Sequence, residues 1–90
     1  MVNDALQETI YPRVVAILRC QVDEDDEIRS DTDLLTDLGI DSIGQVEICL
    51  ALEKEFGLRF SIAELRVCTT VDEVVQLVVH TIAGKEAASK

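Results

Sequence analysis

Apolar residues at a spacing of three and four constrain the fold of this chain more than any other feature. They recur along residues 4–21, 43–56 and 71–83, and this spacing places them on one face of a helix. The three stripes are Leu6, Ile10, Val14, Ile17 and Leu18; Ile43, Val46, Cys49, Leu50 and Phe56; and Val71, Val74, Val75, Leu77, Val78 and Ile82. Aromatic residues make up only 3% of the chain, so the core must be aliphatic. No window alternates in polarity long enough to require a strand.

Glycines and capping boxes predict where the helices begin and end. Gly57 is expected to end the second helix in a left-handed conformation, and Gly84 to end the last one. Ser61 to Glu64 and Thr70 to Glu73 match the capping-box pattern. They predict a short helix at about 62–67 and a final helix from about 71 to 83.

Pro12 interrupts the first stripe and leaves two alternatives for helix I. A proline cannot donate to the carbonyl four residues earlier. The helix is therefore either kinked at Pro12, or its regular part begins near Tyr11. With either alternative the chain is predicted to be all-α, a four-helix bundle with a long first loop, forming one domain over residues 1–84 with a flexible tail at 85–90.

The long loop, residues 23–41, is rich in Asp and Glu but contains apolar anchors at Ile28, Leu34 and Leu38. The anchors predict a loop that is held against the core, and loops of this length are usually functional. A calcium loop of the EF-hand kind needs Gly at its sixth position and Glu at its twelfth. This chain has Ile28 and Leu34 there, so that interpretation fails.

Charge and composition exclude several function classes. The formal net charge of −10 argues against nucleic acid and against anionic membrane surfaces. It favours protein partners with basic docking surfaces. The first twenty residues lack a signal-peptide core and the apolar runs are too short to span a bilayer, so we expect a cytoplasmic protein. Cys20, Cys49 and Cys68 show no paired spacing and are expected to be small buried hydrophobes rather than disulfides or zinc ligands.

No self-contained catalytic machinery is evident. His80 is the only histidine, and no Ser, Cys or carboxylate stands at a spacing that suggests a triad. No glycine-rich phosphate loop is present. We therefore expect neither a catalytic residue nor a metal site.

Ser42 lies where the acidic loop becomes the second helix, and the residues alone allow two roles for it. Its side chain could cap the helix by accepting from the Gln45 amide, with Gln45 as the reciprocal partner. The start of a helix also favours an attached phosphate, because its amides and dipole are positive there.

The residues around Ser42 resemble the central motif of acyl carrier proteins. The run Asp-Leu-Gly-Ile-Asp-Ser-Ile-Gly-Gln-Val-Glu at 37–47 is similar to the family's D-L-G-x-D-S-L followed by V-E. Leu-Ala-Leu-Glu-Lys-Glu-Phe at 50–56 is similar to the family's A-L-E-E-E-F, and Cys-Thr-Thr-Val at 68–71 to its entry to the last helix. The resemblance spans residues 10–83.

This resemblance implies a fold, a cofactor and partners. Members are four-helix bundles with a short third helix. A phosphopantetheinyl transferase moves the 4'-phosphopantetheine arm of coenzyme A onto the serine matching Ser42 in a magnesium-dependent reaction, and the arm's thiol then carries acyl groups between acyltransferases and synthases of fatty-acid, lipid or polyketide-type synthesis. Such carriers are expected to be monomers without catalysis of their own. The implied partner-recognition residues are Asp41, Ile43, Val46, Glu47, Leu50 and Glu53. The implied lining of an acyl cavity is Leu34, Leu38, Cys49, Leu52, Phe60, Leu65 and Cys68.

Several positions depart from the family pattern. Gly44 replaces a residue that is often acidic, and Lys54, Arg59 and Arg66 stand where common fatty-acid carriers tend to be acidic. These charges suggest a specialised carrier. Two alternatives stay open: a peptidyl or aryl carrier, although those usually show G-G-x-S-L, and a structural interaction subunit without an arm.

Overall fold

The computed structural model describes residues 2–22, 27–59 and 61–88. Its four helices are α1 (Val2–Arg19), α2 (Ser42–Phe56), α3 (Ile62–Arg66) and α4 (Val71–Ala88). Within the described residues there is no strand, and the one extended pairing is an isolated antiparallel bridge between Asp33 and Thr70. The predicted all-α architecture, with a long first loop and a short third helix, is confirmed.

The core is aliphatic throughout and draws on every helix. α1 packs against α4 and α2, while α3 packs against α2 and α4. The largest side chains with almost no exposure are Ile10, Val14, Leu18, Ile48, Leu52, Leu65, Val71, Val74, Val75, Val78 and Val79. Each such side chain stabilises the fold by roughly 1.5–3 kcal/mol through removal of its apolar surface from water. The stripes predicted for α1 and α4 supply most of this core. The stripe predicted for α2 is wrong, because Ile43, Val46 and Leu50 are exposed and the helix buries Ile48, Cys49 and Leu52 instead.

α1 continues through Pro12, so the alternative in which regular helix begins near Tyr11 is wrong. One residue later, Arg13 joins α1 to the end of α2. Its guanidinium donates to Glu55 Oε2 at 2.9 Å and lies 4.5 Å from the centre of the Phe56 ring. Both charged side chains are nearly half exposed, so the ion pair contributes little to the stability of the fold. The stacking of Arg13 on Phe56 contributes more.

The long loop is hydrogen-bonded to the start of α4. The amide of Val71 donates to the Thr32 carbonyl at 3.0 Å and that of Asp72 to the Ser30 carbonyl at 2.8 Å. Since the first amides of a helix have no acceptor within the helix, these bonds satisfy donors that would otherwise need water. Leu34 and Leu38 are buried and Ile28 packs against the core, as the predicted anchoring requires.

The helix ends agree with the predicted signals at three places out of four. Gly57 ends α2 with φ of 65°, and Ser61 and Glu64 form a complete capping box at α3, which ends at Arg66. At α4, Glu73 N donates to Thr70 Oγ1 while Thr70 N donates to the Glu73 carboxylate. Hydrogen bonds from Thr69 and Thr70 lower the pKa of Glu73, as expected for a cap carboxylate.

Two further predictions are wrong. Gly84 does not end α4, which runs to Ala88, because Gly84 does not adopt the positive φ that makes Gly57 a terminator. Residues 85–88 of the predicted tail are therefore helical. Cys20 is exposed rather than buried, because α1 has ended at Arg19 and the chain turns there. Cys49 and Cys68 are buried, as predicted.

Candidate functional site

The start of α2 is capped by Asp41 and not by Ser42. Asp41 has extended backbone angles, and its carboxylate accepts from the Gly44 amide at 2.9 Å. The Gln45 amide donates to the Asp41 carbonyl, so the predicted Ser42–Gln45 capping box is wrong. Ser42 is instead the first residue of the helix, and its side chain is exposed. Its hydroxyl is therefore not needed for the cap.

The turn before Ser42 is held by a second carboxylate. Asp33 Oδ1 accepts from the amides of Leu35 and Thr36 at 2.9 and 2.8 Å. These bonds, that from Thr36 foremost, lower the pKa of Asp33. Gly39 then reverses the chain with φ of 68°, a conformation that favours glycine. The chain thus enters α2 along a hydrogen-bonded path, which fixes the position of Ser42.

Gly44 packs closely beneath this turn. It is buried, and a Cβ placed on it would lie 3.0 Å from Cγ2 of Ile40, which is itself buried. A Cβ at position 44 would thus be in unusually tight contact with Ile40, which would have to move by a few tenths of an ångström to accommodate it.

The surroundings of Ser42 suit a phosphodiester. The amides of the first turn point out of the helix end, where the dipole is positive, so a phosphate there is stabilised. The hydroxyl is exposed and stands on the first turn of a 15-residue helix. A long arm fixed at this point has a rigid base and free access to solvent. The residues present therefore fit a phosphate-linked group.

The surface of α2 beyond Ser42 is largely apolar. Ile43, Val46 and Leu50 are 69%, 41% and 60% exposed. Asp41 and Glu47 are exposed as well, whereas Glu53 is half-buried. Of the residues that the resemblance implied for partner recognition, five are thus accessible on one helix and its cap.

Two exposed apolar residues were not predicted from the sequence. Leu35 in the long loop and Val67 after α3 are 62% and 76% exposed. Leu35 lies within the turn held by Asp33, and Val67 is the C-cap residue that follows α3. Both stand outside the regular helical stripes, so no periodic signal marked them.

The residues implied as an acyl-cavity lining are mostly buried in one cluster. Leu34, Leu38, Cys49, Leu52, Leu65 and Cys68 all belong to the core, and Phe60 lies outside the described residues. A cleft of about 190 Å³ opens between the loop, α2 and the end of α3. Leu34 and Cys68 line it, while the other four do not contact it. Gln45, one turn after Ser42, stands at its edge.

The thiol of Cys68 is kept in its protonated form. Burial raises its pKa to about 11, with smaller contributions from Glu73 and Glu64. Burial likewise raises the pKa of Cys49. Since the thiolate is the nucleophile, neither thiol is activated at neutral pH.

Other features are less closely connected with Ser42. A larger cleft of about 530 Å³ lies along α1 beside Gln7, Glu8, Tyr11 and Pro12, and it shares no residue with the predicted site. In the described part of the chain no group of His, Cys, Asp and Glu is arranged to hold a metal ion. None of its helices has the length and apolar character needed to cross a membrane.

Comparison with known proteins identifies the family. The model of the phosphopantetheine attachment site family matches residues 5–78. The chain is 36% identical to the acyl carrier protein of Coprothermobacter proteolyticus over 80 residues, which cover 88% of this chain and 98% of that one. It is 33% identical to the acyl carrier protein of Saccharopolyspora erythraea over 84 residues, covering 92% and 88%.

A polyketide carrier is also similar over part of the chain. The polyketide-8 synthase acyl carrier protein 2 of Streptomyces avermitilis is 39% identical over 51 residues, 57% of this chain and 59% of that one. The family match spans most of α1, all of α2 and α3 and the first part of α4, and it includes Ser42. The chain therefore belongs to the acyl carrier proteins, which hold acyl groups on a covalently attached 4'-phosphopantetheine arm.

Proposed function

We propose that Ser42 is the residue that carries the phosphopantetheine arm. This proposal rests mainly on the start of α2, where Asp41 and not Ser42 caps the helix. Asp41 caps the helix through the Gly44 amide, which leaves the exposed Ser42 hydroxyl available at the positive helix end. The same serine stands at the centre of the Asp-Leu-Gly-Ile-Asp-Ser motif.

The chain itself supplies position and shelter rather than catalysis. The arm's terminal thiol provides the thioester chemistry, and the helix holds the base of the arm in place. His80 is exposed on α4 and has no role in this scheme. The protein thus acts as a cytoplasmic, monomeric carrier that other enzymes modify and use, and it is not an enzyme.

Partner enzymes are proposed to dock on α2. Asp41 and Glu47 offer negative charge to basic patches, and Ile43, Val46 and Leu50 offer apolar contacts beside them. The half-buried Glu53 marks the far edge of this surface. The partners are a phosphopantetheinyl transferase, and acyltransferases and synthases of fatty-acid, lipid or polyketide-type biosynthesis. The net charge of −10 steers the carrier towards such basic surfaces.

The core beneath the cleft is proposed to shelter acyl chains. Its lining would be Leu34, Leu38, Cys49, Leu52, Leu65 and Cys68, together with Phe60. Aliphatic side chains can move apart for a chain more easily than large rings, because they are smaller and have more rotamers. The Cys49 and Cys68 thiols stay protonated at neutral pH because burial raises the pKa of each.

Ser42→Ala is expected to abolish attachment of the arm. The apo-protein is incubated with coenzyme A, Mg²⁺ and a broad-specificity transferase, and its intact mass is measured. Wild type should gain one phosphopantetheine, and Ser42→Ala should gain none. The matched control is Ser61→Ala, another exposed serine at a helix start, which should be modified as wild type is.

The outcome distinguishes the alternatives. An unmodified wild type would indicate a structural interaction subunit without an arm. An adduct that survives Ser42→Ala would place the arm elsewhere. If Ser42 is modified, loading assays with fatty-acyl, amino-acyl and aryl groups then separate an acyl carrier from a peptidyl or aryl carrier.

Glu47→Lys is expected to lower kcat/KM for modification by a transferase with a basic docking surface. The reversal replaces an attraction with a repulsion, so we expect a loss of about fivefold or more at low salt that shrinks at high salt. Glu8→Lys on α1 makes the same change in net charge at an exposed position away from Ser42. Equal losses for the two variants would reduce the effect to net charge and contradict a docking role for Glu47.

A further inference from the structure

The cleft of about 190 Å³ beside Ser42 has an apolar floor and a polar edge. Leu34 and Cys68 form part of the floor, and each is more than nine-tenths buried. The polar edge comes from Asp33, Thr36, Gln45, Arg66 and Thr69. A hydrocarbon chain makes no use of such polar groups, whereas an oxygenated chain can accept hydrogen bonds from them.

Three of the polar groups at the edge are already engaged. Asp33 accepts from the amides of Leu35 and Thr36, and its carboxylate also interacts with the Thr36 side chain. The Thr69 hydroxyl donates to the Glu73 carboxylate at 2.8 Å. Because these groups are hydrogen-bonded within the protein, they are less available to bind a ligand.

The two remaining groups, Gln45 and Arg66, are both hydrogen-bond donors. Within the described residues, the salt bridges of arginine join Arg13 to Glu55 and Arg29 to Glu27, and neither includes Arg66. Arg66 is exposed and Gln45 is half-buried. A guanidinium has five N–H donors in a planar fork, and a side-chain amide adds two. Both side chains can donate to an acceptor oxygen of a bound group.

The size and charge of the cleft limit what that acceptor belongs to. Water occupies about 30 Å³ in the liquid and a methylene group is of similar size, so the cleft holds roughly six such groups. A carboxylate would face Asp33 at the same edge and a chain of net charge −10. An uncharged oxygen, as in an oxo or hydroxyl group, gains the hydrogen bond without that repulsion.

We propose that this cleft binds short acyl groups that carry an oxo or hydroxyl oxygen near the thioester, with Arg66 and Gln45 donating to that oxygen. The inference rests on the proposed attachment of the arm at Ser42. Gln45 follows Ser42 by one helical turn, about 4.5 Å along the axis, so an arm folded back along α2 meets this edge first. The carrier therefore holds oxygenated intermediates more firmly than saturated ones of equal length.

The test compares two cargoes of the same length. A broad-specificity transferase loads wild type from 3-hydroxybutanoyl-coenzyme A or from butanoyl-coenzyme A, and intact mass confirms each adduct. Cleavage of the thioester by hydroxylamine is then followed by mass, and each rate is divided by that of the corresponding free pantetheine thioester. We expect the hydroxylated cargo to be protected about threefold to tenfold better, the factor that one net hydrogen bond provides.

Variants assign the effect to the cleft. Arg66→Met retains an apolar stem and removes the donors, so the ratio between the two cargoes should fall to about one. Arg59→Met is the matched control, because Arg59 is also exposed but lies beside Leu58 and Thr81, outside this cleft. It should retain the wild-type ratio.

Each failure has a different meaning. No adduct on wild type would overturn the attachment and this inference together. Normal adducts with equal protection of both cargoes, or a preference that Arg66→Met retains, would overturn only the proposed selectivity of the cleft.

Discussion

Leu52→Ala is expected to lower the free energy of unfolding of the unmodified protein by about 2–5 kcal/mol, the usual cost of a large-to-small change in a core. Leu52 lies on the buried side of α2 and has 0% exposure. The substitution removes its packing contacts and leaves a cavity that the surrounding helices fill only in part. Because a domain of this size has roughly 5–15 kcal/mol in total, the loss is a large share of its stability. Urea unfolding followed by circular dichroism measures it.

The same variant tests whether Leu52 borders the space in which cargo is sheltered. If it does, an octanoyl chain on the arm can enter the new cavity, and the loss should be smaller in the octanoyl form than in the unmodified form. Val67→Ala is the control, because Val67 is 76% exposed and its truncation should change stability by less than about 0.5 kcal/mol. An equal loss with and without the octanoyl chain would contradict the proposed lining role of Leu52.

Much of the fold could be predicted from the sequence because its signals are periodic or local. Helical spacing identified the core residues of α1 and α4 but not those of α2, whose stripe residues Ile43, Val46 and Leu50 are exposed. The Ser61 and Thr70 capping boxes opened the last two helices where the structure has them. Gly57 ended α2 because a left-handed residue there satisfies the carbonyl of Glu53. Each of these signals depends on neighbours within four residues along the chain.

The errors arose where tertiary context decides between two local possibilities. Asp41 and Ser42 can each cap a helix, and the sequence does not show which of them is the last residue with extended backbone angles before α2 begins. The structure gives the cap to Asp41, and that choice is what leaves the Ser42 hydroxyl available. A glycine such as Gly84 can end a helix or lie inside one, and here α4 continues past Gly84 to Ala88.

The cleft could be predicted only in part. Leu34 and Cys68 were expected to line it because the family resemblance implied a cavity there. Arg66 was noticed only as an unusual charge, and Gln45 only as a possible cap partner. Their position at one edge depends on how the long loop folds against α3, and no pattern in the chain reports a contact over that separation.

Gly44→Ala is expected to have opposite effects in two backgrounds. Alanine favours a helix over glycine by about 1 kcal/mol, so on propensity alone the change should stabilise α2. In wild type, however, the new Cβ would lie 3.0 Å from Ile40 Cγ2, and Ile40 is only 3% exposed and cannot easily move away. Overpacking of this kind costs about 1–3 kcal/mol, so we expect a net destabilisation of about 1 kcal/mol.

Ile40→Ala removes the methyl group that occupies this space, at its own cost of about 2–5 kcal/mol for the buried isoleucine. In that background Gly44→Ala should stabilise the protein by about 0.5–1 kcal/mol, because the propensity gain is no longer opposed. Unfolding free energies of the four proteins form a double-mutant cycle in which the sign of the Gly44 change reverses. If Gly44→Ala changes the free energy of unfolding equally in both backgrounds, Gly44 and Ile40 are not coupled. A reversal would show that Gly44 accommodates the bulk of Ile40.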